Sequence, residues 1–198
     1  MHFSELEEDF LLELFNIGVG KASDSLSKMV HQEIILSVPH IEMISIDQLA
    51  DVVGKDQNIS CVSQKITGRF DADSLLLFPK NASLQIVQLM LGQQFTAETI
   101  KELHQEAFSE VGNIVLNACI GSLSRMIDES FDIALPSFDQ GRAEAILNVK
   151  EHGDEAVLFI KINLRLSESD VEGFLAFILS SSSLDKLQLL LKSLVSEL

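Results

Sequence analysis

The alternation of apolar and polar residues predicts the same succession of elements twice along the chain. Phe3, Leu6, Phe10, Leu14 and Ile17 recur at helical spacing, so residues 4–30 are expected to form a long helix with those five on its buried face. Ser4, followed three places on by Glu7, has the form of a capping box and sets the start of that helix. Gln32 to Ile46 is rich in Ile and Val and reads as extended, and Pro39 confines it to a sheet edge or a bulge. Residues 47–57 read as a connection with a helical turn, and 58–67 and 69–78 as strands paired about Thr67-Gly68. Asn81 or Ser83 should cap a helix that stops at Gly92. A second long helix opens at Thr96 or Ala97 and runs to about Met126. Beyond it, 131–138 reads as extended, 143–150 and 155–166 as a hairpin around His152-Gly153-Asp154, and 171–179 as a strand. Ser182 or Ser183 caps a final helix. The expectation is a mixed α/β (α+β) fold.

The repetition extends to individual residues. Asp9-x3-Glu13-x2-Asn16, with 22 residues between Asn16 and Pro39, returns as Glu106-x3-Glu110-x2-Asn113, again with 22 residues before Pro136. The copies lie 97 residues apart, and Ile17/Ile114, Ser25/Ser122, Leu26/Leu123, Ser27/Ser124 and Met29/Met126 match in the same register. The last helix repeats an earlier one at a shift of 100: Ser83-Leu84 and Gln88-Leu89 reappear as Ser183-Leu184 and Gln188-Leu189. One domain over 1–198 is expected, built of repeats near 4–92 and 101–192 that share a core about a pseudo-twofold axis.

Helical positions i, i+4 and i+7 fall within a strip about 60° wide. Asp9, Glu13 and Asn16 therefore share one strip, and Glu106, Glu110 and Asn113 another. A solvated helix face is one reading of either copy; the retention of Glu and Asn in both favours a surface offered to a partner. An amide can orient a water by donating and accepting hydrogen bonds, and a carboxylate can hold a cationic group. Neither makes a nucleophile or a strong general base.

Composition narrows the classes. A formal charge of -16 argues against nucleic acid, whose binding rests on neutralising phosphates. Cys61 and Cys119 are too few and too scattered for a disulfide framework or a zinc site, so both are expected reduced in the core. The five histidines, His2, His31, His40, His104 and His152, show no ligand spacing. No apolar run approaches the ~18 residues of a membrane span. The acidic start MHFSELEEDF is unlike a signal peptide, and a cytoplasmic monomer is expected.

The motif acid-x3-Glu-x2-Asn-x22-Pro, present twice, together with the stretches ELFNIGVGKAS and EVGNIVLNACIGSL, resembles the CheC/CheX/FliY family of chemotaxis phosphatases. Length and two motif copies point to the CheC branch. The resemblance implies long motif helices on one side of a sheet, and hydrolysis of the aspartyl phosphate of a CheY-like response regulator. It implies that Glu13 and Glu110 pair with a lysine of the regulator, and that Asn16 and Asn113 position water. Asp9 and Glu106 would support them, and Pro39 and Pro136 would shape the following strand. No cofactor of its own is implied; Mg²⁺ would come with the bound regulator, and a CheD-like deamidase is a second partner to consider. A non-catalytic regulator-binding, adaptor or flagellar-switch module of the same fold is the alternative. The family commonly has Gly before the Asn, as in Gly112, but the first copy has Phe15. Phe15 is expected to crowd Asn16, either obstructing a docked regulator or packing against it, so the second copy is the stronger site.

Overall fold

Ser4 does cap the first helix. Its hydroxyl receives the Glu7 amide while the Glu7 carboxylate receives the Ser4 amide, and α1 runs Glu5–Val30. The computed structural model describes residues 3–92, 94–148, 155–166 and 169–196. After α1 come β1 (Ile34–Ser45), α2 (Ile46–Val53), β2 (Asn58–Thr67), β3 (Ala72–Pro79) and α3 (Lys80–Leu91). The second run is α4 (Ala97–Met126), β4 (Asp132–Ile133), β5 (Ser137–Arg142), α5 (Ala143–Ile146), β6 (Ala156–Leu166), β7 (Ser169–Leu179) and α6 (Ser181–Ser196).

The strands form one antiparallel sheet in the order β1-β6-β7-β3-β2-β4, with β5 also paired to β2. The halves therefore exchange outer strands: β1 lies against β6 of the second half, and β4 and β5 lie against β2 of the first. Alternation then sorts side chains to two faces. Leu76, Phe78, Leu158, Ile160, Leu175 and Phe177 meet the long helices, α3 and α6 in the main core. Leu75, Leu77, Val157, Phe159, Ala176 and Ile178 meet α2 and α5 on the other side. The two long helices touch where Gly18 faces Cys119; a Cβ on Gly18 would stand 2.9 Å from the Cys119 Cα.

The buried stripe of α1 is Leu11, Leu14, Phe15, Val19, Ala22 and Leu26, whereas Leu6 and Ile17 are 54% and 40% exposed. Both stripes have helical spacing, and contact with α4 and the sheet selects the second. No strand occupies 143–148: the strand ends at Arg142 and α5 follows, because the chain must turn back over the second face of the sheet, where Ala143 and Leu147 are buried. The remainder of that expected strand, with the turn at His152-Gly153-Asp154, lies outside the described residues. Pro79, not Asn81 or Ser83, precedes α3. Ser180, not Ser182 or Ser183, accepts the Ser183 amide at the start of α6. Pro39 falls within edge strand β1, at the register shift between Ser37 and His40, and Pro136 sits in the break between β4 and β5. No helix among the described residues is long and apolar enough to cross a membrane.

Candidate functional site

Asp9, Glu13, Glu106 and Glu110 all stand exposed on the outer faces of α1 and α4, while Asn16 and Asn113 are half-buried at the inner margin of the same strips. The two asparagines have different surroundings, and those surroundings fix their chemistry.

Asn16 is clamped onto β1. Its Oδ1 accepts the Val38 amide at 3.0 Å, and its Nδ2 donates to the Val38 carbonyl at 3.3 Å and to the Leu12 carbonyl at 3.0 Å. An Asn amide nitrogen has two hydrogens, so both donors are spent. Asn16 continues a row: the Ser23 hydroxyl accepts the Leu36 amide at 2.7 Å, and the Ser27 hydroxyl accepts the Ile34 amide at 2.8 Å. Side chains 16, 23 and 27 of α1 thus satisfy alternate amides along the open edge of β1, which no strand among the described residues pairs.

Asn113 has no such strand beside it. The chain between β4 and β5 is held to β2 instead, the Ala134 amide donating to the Lys65 carbonyl at 2.9 Å, and Leu135, the residue before Pro136, is 91% exposed. Asn113 Oδ1 instead accepts from Gln64 Nε2 at 3.2 Å and from Asn117 Nδ2 at 2.8 Å. The Gln64 Nε2 also donates to the Ala134 carbonyl at 3.3 Å. A carbonyl only accepts, so the amide nitrogen of Gln64 must face this cluster, and the oxygen of Asn113 must face Gln64. Asn113 Nδ2 is thereby turned away, without a protein partner among the described residues and not fully buried.

Phe15 does not crowd the first copy from outside. It is 1% exposed, and its ring lies 5.5 Å from that of Phe177 in the core. Gly112 likewise faces inward, where a Cβ would stand 2.4 Å from Val62, so its smallness lets α4 approach β2 and opens no space for a partner. What separates the two copies is the clamp on Asn16.

Other reactive groups are disarmed. Burial pushes the thiols of Cys61 and Cys119 up to about 12, with Asp139 adding to the effect at Cys61, so neither is a thiolate at neutral pH. Ser83 lies 2.9 Å from His104 Nε2, but both are buried and no substrate reaches them. Among the described residues no three His, Cys, Asp or Glu cluster to hold a metal ion. The spacing of the motif pointed to Asn16 and Asn113; it did not point to Val38, Gln64 or Ala134, which arrive through the sheet. Asn117 carried a local signal, an amide one turn after Asn113 where the first copy has Gly20.

The family model described as chemotaxis phosphatase CheX matches residues 60–163. The chain belongs to this family. CheC, the CheY-P phosphatase of Bacillus subtilis, is 22% identical over 163 residues, 78% of each chain. The flagellar motor switch phosphatase FliY of the same organism is 24% identical over 173 residues, 83% of this chain but 44% of that protein. Among solved structures, FliY of Thermotoga maritima superposes with a TM-score of 0.78 at 18% identity, covering 98% of this chain and 99% of that one. CheX in complex with CheY, BeF₃ and Mg²⁺ from Borrelia burgdorferi gives 0.55 at 18% identity, covering 85% and 97%. At these identities the structural matches establish the fold, the mixed arrangement of helices on an antiparallel sheet.

Proposed function

We propose that this chain accelerates hydrolysis of the aspartyl phosphate on a CheY-like response regulator, chiefly through Glu110 and Asn113. The carrying observation is the state of Asn113: its oxygen is held by two donors and its Nδ2 is left free on the strip that also bears Glu106 and Glu110. Family membership supplies the substrate class, and the CheX–CheY complex shows that a protein of this fold binds such a regulator.

In this reading Glu110 holds a lysine of the regulator, and Glu106 adds negative charge at the same contact. Asn113 Nδ2 donates to the oxygen of the attacking water, or to a phosphoryl oxygen, and fixes the water in line with the phosphorus. Water adds to phosphorus, the bond to the aspartate oxygen breaks, and the products are the free carboxylate and inorganic phosphate. Bound to the regulator, Mg²⁺ supplies charge neutralisation at the phosphoryl oxygens. Asn16, with both donors spent on its own chain, serves the fold, and Glu13 remains available as a docking acid. The clamp on Asn16 favours a second reading for the first copy alone: binding without turnover.

The test mixes the protein with phosphorylated regulator and follows phosphate release. Acceleration by the wild type that is lost in Asn113→Ala supports the proposal. A doubly substituted Asn16→Ala/Asn113→Ala protein that works at the wild-type rate would leave only the binding module.

A further inference from the structure

We infer that Gln64 and Asn117 are positioning residues that set the amide orientation of Asn113, so that the second copy presents a hydrogen-bond donor to its substrate. The inference rests on the proposed function for its catalytic consequence, though not for its geometry.

Gln64 lies on β2, 3% exposed, facing the long helices among apolar neighbours. Its Nε2 is shared between the Ala134 carbonyl and Asn113 Oδ1, at 3.3 and 3.2 Å. Asn117, one turn along α4, sends its Nδ2 to the same oxygen at 2.8 Å. Rotating the Asn113 amide would set its NH₂ against the NH₂ of Gln64, which the Ala134 carbonyl prevents from rotating in concert. Three groups thus leave one orientation.

The arrangement is not one the fold requires. In the first copy Gly20 stands where Asn117 stands, and a Cβ there would meet nothing within 4 Å. The corresponding outer pair of strands has only apolar residues of β6, Leu158, Ile160, Ile162 and Leu164, turned to the long helices. The polar pair also carries a penalty, because Gln64 Oε1 and Asn117 Oδ1 are buried without a hydrogen-bond partner among the described residues. A buried amide that leaves its own oxygen unpaired is poor at stabilising a core. It is explicable as the donor that orients Asn113.

The experiment uses the full chain and the variants Gln64→Leu, Asn117→Ala, Asn113→Ala and their combinations. Single-turnover dephosphorylation over a range of protein concentration separates the saturating rate from the half-saturating concentration. Gln64→Leu should lower the saturating rate about tenfold and leave half-saturation within about twofold, since a misplaced group acts on the transition state. On the Asn113→Ala background the same substitution should have no further effect. An equal loss on both backgrounds would overturn the inference. A second readout is independent of activity: ¹⁵N relaxation of the Asn113 side-chain amide should show greater motion in Gln64→Leu and Asn117→Ala than in the wild type. Unchanged order in both variants overturns the inference even if they are less active. If the wild type releases no phosphate, the proposed function fails and the relaxation comparison alone decides the positioning role.

Discussion

At the scale of single residues, Asn16 and Asn113 are the same residue in the same motif with different hydrogen-bond partners. Asn16 bonds both the amide and the carbonyl of the buried residue Val38, and Asn113 Nδ2 bonds nothing among the described residues. Asn16→Ala is therefore expected to lower stability by about 1–3 kcal/mol, the cost of orphaning buried backbone groups, with little loss of turnover. Asn113→Ala should do the reverse: a urea midpoint near wild type and a saturating rate down by roughly 10²-fold, as for one positioned donor elsewhere. Denaturation and single-turnover measurements on both proteins check this, and equal kinetic losses would show that the clamp on Asn16 opens when a regulator docks. The motif made all six strip positions legible in the sequence, because helical spacing is a local property. Which asparagine is free was not legible, since Val38 and Gln64 reach the helices through strand pairing. Phe15 departs from expectation for a related reason. Its place beside Asn16 is plain in the sequence, but the direction in which it points depends on the sheet beneath.

At the scale of elements, α1 had two apolar stripes of equal helical quality, and only the packing of α4 and the sheet decided between them. The chosen stripe brings Gly18 onto Cys119, while Gly112 of α4 lies on Val62. A methyl group at Gly112 has no room, so Gly112→Ala should destabilise by about 1–3 kcal/mol through overpacking against β2. A urea midpoint unchanged from wild type would show that α4 can lift from the sheet. A second joint lies between α3, α4, β2 and β5. His104 is 5% exposed, with Nε2 2.9 Å from the Ser83 hydroxyl and Nδ1 3.4 Å from the Gln140 Nε2. Because Gln140 donates to Nδ1, a second ring proton has no acceptor there. Burial, and then the charge of Lys80, lower the His104 pKa below its ordinary 6.5. On acidification the unfolded chain takes up this proton first. The contribution is fully present above about pH 6.5 and is lost as pH falls from there through the folded-state value. His104→Gln should thus lose less stability between pH 7.5 and 5.5 than the wild type does, as read from paired urea titrations. Equal losses would place the acid sensitivity elsewhere.

At the scale of the whole molecule, the order of strands places two similar runs of sequence in one sheet. The expected order of elements could be read from apolar periodicity and turn residues; the exchange of outer strands could not, because periodicity says which face a strand buries and not which strand lies beside it. That exchange has a consequence for folding. Among the described residues β1 is bonded in the sheet only to β6, and β5 only to β2, so each half places its first strand against the other half. Within residues 3–92, separation would leave β1 without a partner and would strip β3 of β7. The main core would also be divided, since Leu158, Ile160 and Phe177 share it with Leu11, Phe15 and Val19. A single half would then expose much of the surface that stabilises it, at a size where a core is already marginal. We expect fragments 1–95 and 96–198, made separately, to give poorly dispersed amide spectra and no cooperative urea transition as monomers. Mixed or co-expressed, they should recover the transition of the intact chain at a lower midpoint, because reassociation has to overcome the loss of the covalent link. The intact protein should unfold in one step, with probes in α1 and α4 reporting the same midpoint. A monomeric fragment with a cooperative transition, or two separated midpoints in the whole chain, would show that the strand exchange does not bind the halves into one folding unit.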